Sequence, residues 1–305
     1  MTFRLNGPGS RLVWALMSRT PHRSMIMRSS ESMKSRGIMR IRAAIALLSV
    51  SFAAPAAKPP SSEEQSRVLE AARRTALAYT KTLPDFICSE VISRYSDASG
   101  KGKDWSAVDS LMVLLSYFGR QEHYRLVQVN HQPDSASYDS LPGSTSQGEF
   151  GTMLRRVFEP SCAAKFQWRS WEDLRKRTVQ AYSYSVDRAN STLSLTYANG
   201  SDSGEMVAGY HGLVSIDPGS GTALRVTLEA DGLKDFQVTL AGTTLDYDYA
   251  RIGGQRYLLP LKAETLMRSG GGMTRNVVDF LSYQKFDVGS DILFPKAGDP
   301  IDKLR

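Results

Sequence analysis

The chain has 305 residues, of which 41% are hydrophobic and 23% are charged, with only 2 Cys. This composition excludes disordered, collagen-like and disulfide-dense proteins. The net charge of +7 originates in residues 1–57, which hold nine basic side chains and one acidic one. Residues 58–305 hold 29 basic and 30 acidic side chains. This larger part of the chain therefore has no general attraction to nucleic acid.

Residues 1–38 contain Met, Arg and Ser residues but no sustained periodicity. A signal peptide that began at Met1 would have a charged region of about forty residues, beyond the usual length, whereas a start at Met33 or Met39 gives an ordinary one. We therefore expect residues 1–38 to be an untranslated or disordered upstream segment.

A secretory signal peptide is predicted for residues 39–57. The twelve uncharged residues Ala43–Ala54 follow Arg40 and Arg42 and precede the A-x-A pattern Ala54-Pro55-Ala56, which is the order of a signal peptide. Such a run is too short to cross roughly 30 Å of hydrocarbon as a helix. We expect an exported protein, periplasmic or extracellular, without a retained transmembrane anchor; a buried or interfacial helix is the alternative.

The mature chain begins with a predicted amphipathic helix, Glu63–Lys81. Apolar residues recur on one face, acidic residues lie in its first turn, and Pro84 follows it. The next segments are predicted strands near Phe86–Ile92, at Leu111–Phe118 and at Tyr124–Val129.

Cys88 and Cys162 are the only cysteines. An exported protein meets an oxidising environment, so we expect one disulfide between them; two buried free thiols are the alternative. A polar loop, Gln132–Gln147, separates the two cysteines. It is followed by a predicted short helix, Glu149–Phe158, that begins after Ser146.

Strand patterns recur at short spacing from Phe166 onward, joined by turn sequences such as Asp217–Gly221 and Gly253-Gly254. Short links predict antiparallel neighbours, because parallel crossovers need a dozen or more residues. The predicted strands are Val179–Asp187, Leu193–Tyr197, Gly212–Ile216, Ala223–Glu229, Phe236–Leu240, Leu245–Ile252, Tyr257–Met267 and Asn276–Phe286.

Several of these strands alternate strictly between apolar and polar residues; Leu224, Val226 and Leu228, for example, are interleaved with polar side chains. A sheet of such strands has one apolar face that must be covered. The predicted fold for residues 58–305 is therefore a single α+β domain: a strongly curved antiparallel sheet, or half-barrel, with the N-terminal helix and one or two short helices covering its concave face.

Motifs of known catalytic and cofactor-binding sites are absent from the sequence. It has no HExxH, G-x-S-x-G, P-loop or G-x-G-x-x-G pattern, and the four His are scattered. We predict no catalytic residue, no metal ligand and no cofactor. Tyr182 and Tyr184 belong to a group of aromatic residues that we assign to the core or to an apolar ligand face.

The segment Gly212–Arg225 resembles the hairpin of periplasmic lipoprotein-carrier and lipoprotein-sorting proteins, with a G-x-V-x-I-D strand, a tight turn and an L-R-V strand. This resemblance implies an N-terminal helix and a curved half-barrel whose cavity receives acyl chains. The chain is also similar to uncharacterised exported bacterial proteins with P-D-F-x-C (Pro84–Cys88) and G-E-F (Gly148–Phe150) patterns. No functional residue of the carrier family transfers to a numbered position here.

The leading hypothesis is an exported, non-enzymatic binding protein that holds a lipid or lipoprotein acyl chain against Leu224, Val226, Leu228, Tyr182 and Tyr184. The alternative is an envelope interaction or structural module with a filled core, in which the loop Gln132–Gln147 contacts a protein partner. A third hypothesis, a hydrolase with acidic residues assembled by the fold, has no motif in its favour.

Overall fold

The computed structural model describes residues 2–6, 58–199 and 201–286. Within these residues the chain forms two α-helices and fourteen β-strands. The helices are α1 (Ser62–Thr82) and α2 (Thr152–Phe158). The strands are β1 (Thr2–Asn6), β2 (Phe86–Asp97), β3 (Ser106–Phe118), β4 (Gln121–Val129), β5 (Gln132–Pro133), β6 (Gly143–Gln147), β7 (Lys165–Leu174), β8 (Arg177–Val186), β9 (Leu193–Asn199), β10 (Asp202–Asp217), β11 (Thr222–Asp231), β12 (Val238–Ile252), β13 (Gln255–Ser269) and β14 (Gly272–Lys285).

Helix α1 confirms the predicted amphipathic helix. Its N-cap is Ser61, whose side chain accepts a hydrogen bond from the backbone N–H of Glu64, and the chain leaves the helix just before Pro84. The buried face carries Val68, Ala72, Ala76 and Tyr79. Small residues on this face let the helix lie close to the sheet, and the rings of Tyr79 and Tyr247 meet edge to face at 6.2 Å.

The strands form one open sheet, and the predicted α+β fold with a curved antiparallel sheet is confirmed. Its strand order is β5-β4-β3-β2-β14-β13-β12-β11-β10-β9-β1-β6, with β7 and β8 branching from β10. Strand β10 pairs with β9 through its first half and with β8 through its second half. Every pairing is antiparallel except that of β1 with β9.

Bulges supply bending points in the central strands. The register of β12 and β13 shifts between Asp246 and Tyr247, and that of β14 and β2 shifts between Leu281 and Gln284. Ser282, inside the second bulge, adopts a φ of 57°. An inserted residue bends a strand and increases its twist, so these positions help to curve the sheet around α1 and α2.

Two predicted strands are a single strand in the structure. The predicted strands Phe236–Leu240 and Leu245–Ile252 belong to the single strand β12, which begins at Val238. A shift in its pairing register with β13 after Val238 moves the buried side chains from even-numbered to odd-numbered positions, so the strand continues although the alternation changes. Phe236 lies in the preceding turn. The sequence pattern located the apolar residues correctly but divided them in the wrong place.

A row of polar side chains crosses the buried concave face. Its five members lie on five strands that are adjacent in the sheet, and each is paired with the next. In the order β3, β2, β14, β13 and β12 they are Asp109, Arg94, Asn276, Thr265 and Thr243. We call these residues the polar row.

Strand β6 lies over the polar row and is bound to it. Arg94 donates to the carbonyl of Pro142 at 2.6 Å, the amide of Asn276 donates to the carbonyl of Ser144 at 2.7 Å, and the hydroxyl of Thr265 lies 3.4 Å from that of Ser146. Buried polar groups are tolerated when they find partners, so a strand of Gly, Ser, Thr and Gln lies inside the molecule.

The segment Gln132–Gln147 is therefore not the exposed loop that its composition predicts, because its second part is the buried strand β6. The helix after it also starts later than predicted, at Thr152 instead of Glu149. Gly151 is its N-cap with a φ of 92°, and the Ser146 hydroxyl donates to the Glu149 carboxylate.

Residues Thr2–Asn6 form strand β1, whereas the sequence pattern predicts no element in residues 1–38. Five residues are too few to show a periodicity, and the partners of β1 lie far along the chain. The rest of that segment and the predicted signal peptide, residues 39–57, lie outside the described residues. No helix in the described part of the chain is long and apolar enough to span a membrane.

The predicted disulfide is not formed, since Cys88 and Cys162 are both buried free thiols. Cys88 lies on β2 and Cys162 ends a short 3-10 turn after α2. Cys162 lies near Tyr210, whereas the neighbours of Cys88 include Glu90 and Glu122. Burial raises the pKa of Cys88 well above its usual value, which lowers its reactivity.

Candidate ligand-binding site

The predicted apolar ligand face is packed core. Leu224, Val226, Leu228, Tyr182 and Tyr184 are each at most 2% exposed. They lie on β8 and β11, the two strands that flank β10, and belong to a continuous core under α1 and α2 instead of an open wall.

Buried hydroxyls on this face are satisfied internally. Tyr184 donates to the backbone carbonyl of Thr227 at 2.6 Å, and Tyr182 donates to the side chain of Gln180. The two hydroxyls are therefore not available to a ligand, although the side-chain nitrogen of Gln180 has no hydrogen-bond partner. A ligand must therefore bind elsewhere or displace this core.

An apolar groove of about 440 Å³ opens at one end of the sheet. It lies where β1 and β9 approach the turn between β13 and β14, and the end of β2 completes it. Its wall includes Leu5, Ala98, Pro142, Tyr197, Met267 and Met273. This set was not predicted, because its members come from six separate strands and turns.

Two turns are held together beside the apolar groove. Arg268 donates to the carbonyl of Gly100 at 3.1 Å and lies 3.4 Å from the sulfur of Met273. Gly100 must be glycine, because a Cβ there would stand 2.1 Å from the carbonyl oxygen of Gly271. These contacts fix the position of Met273 in the wall.

Asp97 closes the turn that precedes β3 at the groove. Its carboxylate accepts hydrogen bonds from the hydroxyl and backbone N–H of Ser99 and from the backbone N–H of Lys103. The hydroxyl of Ser99 is the largest influence that holds the pKa of Asp97 below its ordinary value. An ionised Asp97 keeps this turn closed at neutral pH.

A second, more polar cleft of about 620 Å³ opens at the opposite end of β1 and β6. The walls carry Thr2, Lys81, Arg120, Gln147 and Arg155, together with Glu122 and Tyr124. We call it the polar cleft. Arg155 is paired with Glu159 at 3.1 Å in this wall.

A partly buried carboxyl group, that of Glu122, lines the polar cleft. Tyr124 donates to Glu122, and its hydroxyl also lies 3.1 Å from Glu149. Glu122 accepts further hydrogen bonds from the backbone N–H groups of Gly148 and Phe150, each at 3.1 Å. The carboxyl group of Glu122 on β4 therefore binds the segment that follows β6.

Burial favours the protonated form of Glu122 and of the neighbouring Glu149 and Glu90. It raises the pKa of Glu122 to about 7, with the charge of Glu149 as the second cause. Burial likewise raises the pKa of Glu149, and it raises that of Glu90 well above the ordinary value. One side-chain oxygen of Glu90 has no hydrogen-bond partner.

Sequence reasoning missed this group of glutamates. Glu90, Glu122 and Glu149 lie on β2, on β4 and beside α2, so only the fold brings them together. The one signal was the Gly148–Phe150 pattern, which contains Glu149. Within the described ranges, no set of three or more His, Cys, Asp or Glu side chains is arranged to hold a metal ion.

Strands β1 and β6 connect the apolar groove and the polar cleft. Thr2 is paired with Gln147 at the polar cleft, and Asn6 is paired with Gly143 at the apolar groove. The two openings are therefore the two ends of a single strand pair, and β1 fills the space between them.

Three solved structures show low similarity to this chain. A DUF1329 family protein from Desulfovibrio piger is 13% identical, with 73% of this chain and 95% of that chain covered and a TM-score of 0.35. A LolA superfamily protein from Nitrosomonas europaea is 13% identical, covering 74% and 94%, with a TM-score of 0.31. A domain from Vibrio parahaemolyticus, described as a lipoprotein-sorting protein of the outer membrane, is 12% identical, covering 73% and 93%, with a TM-score of 0.33. No protein-family model and no curated protein matches the chain.

Proposed function

We propose that this protein is an exported, non-enzymatic binding protein of the cell envelope that holds the acyl chain of a lipid in the apolar groove. The observation that carries the proposal is the groove itself. Its volume of about 440 Å³ lies in the range of small-molecule sites, roughly 300–1,000 Å³.

The chemistry of the wall supports an acyl chain as ligand. Met267 and Met273 offer aliphatic and thioether surface, and Tyr197 adds an aromatic ring; all three follow the predicted cleavage site in the sequence. Methionine side chains are flexible and polarisable, so they adapt to chains of different length and unsaturation. The predicted signal peptide supports placement in the periplasm or outside the cell.

A second candidate function is an envelope interaction module without a ligand. The packing of Leu224, Val226 and Leu228 into a filled core favours it. Phe118 and Phe286 also support it, because they are 55% and 37% exposed and their rings contact each other at 5.8 Å. Exposed aromatic residues are common where proteins associate.

Titration of the full chain with cis-parinaric acid, a fluorescent fatty acid, tests the proposed function. Ser269→Trp fills the apolar groove, and Met273→Glu places a charge in its wall. We expect each variant to weaken binding at least tenfold. Met112→Glu is the matched control, because Met112 is a partly exposed methionine on β3 away from the groove.

Thermal unfolding of each variant establishes that it is folded before its affinity is compared. Failure of the wild-type chain to bind the fatty acid would contradict the proposal. Equal affinities for wild type and Ser269→Trp would also contradict it, since the ligand would then lie elsewhere.

A further inference from the structure

Strand β1 occupies a slot that is bordered by strands on both sides. It pairs in parallel with β9 from Thr2 opposite Ser194 to Asn6 opposite Ala198, and antiparallel with β6 along its whole length. Main-chain hydrogen bonds on both edges can hold any extended segment, whatever its sequence.

The walls of the slot are held in place by contacts other than those with β1. Strand β9 is paired with β10 on its far side. Strand β6 is bound to the polar row through Pro142, Ser144 and Ser146. Removing β1 would leave both walls attached to the rest of the fold.

Side chains of β1 meet distinct subsites in the slot. Phe3 is fully buried in the core, and Leu5 forms part of the apolar groove. Arg4 pairs with the carboxylate of Asp139 at 3.3 Å. The amide of Asn6 donates to the carbonyls of Asp139 and Leu141 at 2.9 and 2.8 Å. The slot thus distinguishes an aromatic residue, a cation and an aliphatic residue at successive positions.

We propose that the slot between β6 and β9 is a binding site for an extended polypeptide segment, with Thr2–Asn6 as one occupant. The preferred segment runs parallel to β9 and carries an aromatic residue, a basic residue and an aliphatic residue in succession. This site goes beyond the proposed function, because its ligand is a peptide strand and its recognition is by main-chain pairing.

Exchange of the occupant follows from the position of the predicted signal peptide. The run Ala43–Ala54 lies between β1 and α1 in the sequence. Cleavage after Ala54-Pro55-Ala56 would cut the covalent link between β1 and the rest of the domain, and a translation start at Met33 or Met39 would omit β1 altogether. In either case the domain would lack a covalently attached β1. Two strand edges about 10 Å apart would then face each other, and their buried amide and carbonyl groups would need a new partner strand.

The test uses the full chain with a protease recognition sequence inserted between residues 20 and 30. The folded protein is cut and then incubated with excess fluorescein-labelled pentapeptide of sequence TFRLN. We expect the labelled peptide to replace the N-terminal fragment, which fluorescence anisotropy and mass spectrometry measure. Amide hydrogen exchange should show that Gly143–Gln147 and Leu193–Asn199 remain protected in the exchanged complex.

Two control peptides report on the mode of binding. TDRLN places a carboxylate in the Phe3 subsite, and TFPLN lacks one backbone donor, so each should bind at least tenfold more weakly than TFRLN. A full chain with Phe3→Asp, in which β1 cannot bury its second residue, should take up TFRLN without any cleavage.

The proposal is overturned if the cut chain takes up no labelled peptide, whether its own fragment stays or leaves. It is equally overturned if all three peptides bind alike, because that result indicates non-specific association. Fatty-acid affinity is a separate measurement, so failure here and failure of the proposed function are distinguishable.

Discussion

The side-chain amide of Asn276 donates a 2.7 Å hydrogen bond to the backbone carbonyl of Ser144, and both residues are buried. This bond joins the centre of the curved sheet to the strand that crosses it. Asn276→Ala would leave the Ser144 carbonyl without this partner inside the protein, so we expect a loss of about 1–3 kcal/mol in the free energy of unfolding.

Urea-induced unfolding followed by circular dichroism measures this loss. Asn190→Ala is the control, because Asn190 is exposed; we expect it to change stability by less than about 0.5 kcal/mol. Equal effects of the two substitutions would mean that β6 is not held by the polar row.

The ion pair between Arg94 and Asp109 is another part of the polar row. The side chains are 7% and 13% exposed, and the guanidinium binds both carboxylate oxygens. Asp109→Ala would leave a buried charge without its partner, at a cost of about 3–5 kcal/mol. The exposed pair Lys165–Asp187 is the comparison, and we expect Asp187→Ala to cost at most about 1 kcal/mol. Chemical denaturation of both variants checks the difference, and similar losses would refute it.

Stability should fall as pH rises from about 4.5 to about 7. Burial raises the pKa of Glu122 to about 7 from an ordinary 4.5, so between these values the folded chain binds more protons than the unfolded chain. The contribution of this proton is fully present below about pH 4.5 and decreases until pH passes the folded value, for a total of about 3 kcal/mol. Urea midpoints measured from pH 4.5 to 8 follow the change.

Glu122→Gln removes the titrating group while keeping its size. The variant should therefore lose most of this slope, whereas the exposed Glu229→Gln control should retain it. An identical slope in Glu122→Gln would assign the titration to Glu149 or Glu90, which are also buried.

Free thiols are expected at both cysteines. Cys88 and Cys162 are 1% and 4% exposed, so a thiol reagent should react with neither in the native protein. After denaturation without a reductant, we expect two equivalents of reagent to react per chain. A count of zero would mean that Cys88 and Cys162 form the disulfide that the sequence analysis predicts.

Gly212, the first residue of the hairpin that resembles the carrier proteins, has no room for a side chain. A Cβ there would lie 1.9 Å from the carbonyl oxygen of Thr227 on the adjacent strand. We expect Gly212→Ala to lower stability by about 1–3 kcal/mol or more, because backbone must move. Gly219→Ala in the following turn meets only the flexible side chain of Asp217, at 3.4 Å, and should cost much less when both are measured by thermal unfolding.

Local signals predicted much of the fold. The helix α1 follows from its periodicity, its acidic first turn and Pro84, all of which lie within one segment. The second half of β10 and the strands β11, β13 and β14 follow from alternation and short turns, whereas the first half of β10 was not predicted and β12 was divided into two strands. In these parts the residues that decide the structure are neighbours in sequence.

The candidate site depends on distant pairings, and the sequence did not predict it. Phe3 pairs with Ser146 and Leu195, which lie more than a hundred residues away. Strand β6 has no apolar alternation, because its burial is explained by hydrogen bonds to the polar row. The five residues of the proposed ligand face are buried core, because α1 and α2 fill the space in front of them, which alternation within single strands cannot reveal.

The pairing of β2 with β14 has a consequence for how the molecule is made. Residues of the first strand after the helix, such as Ile92, lie beside residues of the last, such as Val278, at the centre of the sheet. A ribosome-bound or partly translocated chain lacks the final strand and leaves β2 with one edge unfilled. Closing so large a loop is slow, so the centre of the sheet is completed only after the last strand has been synthesised.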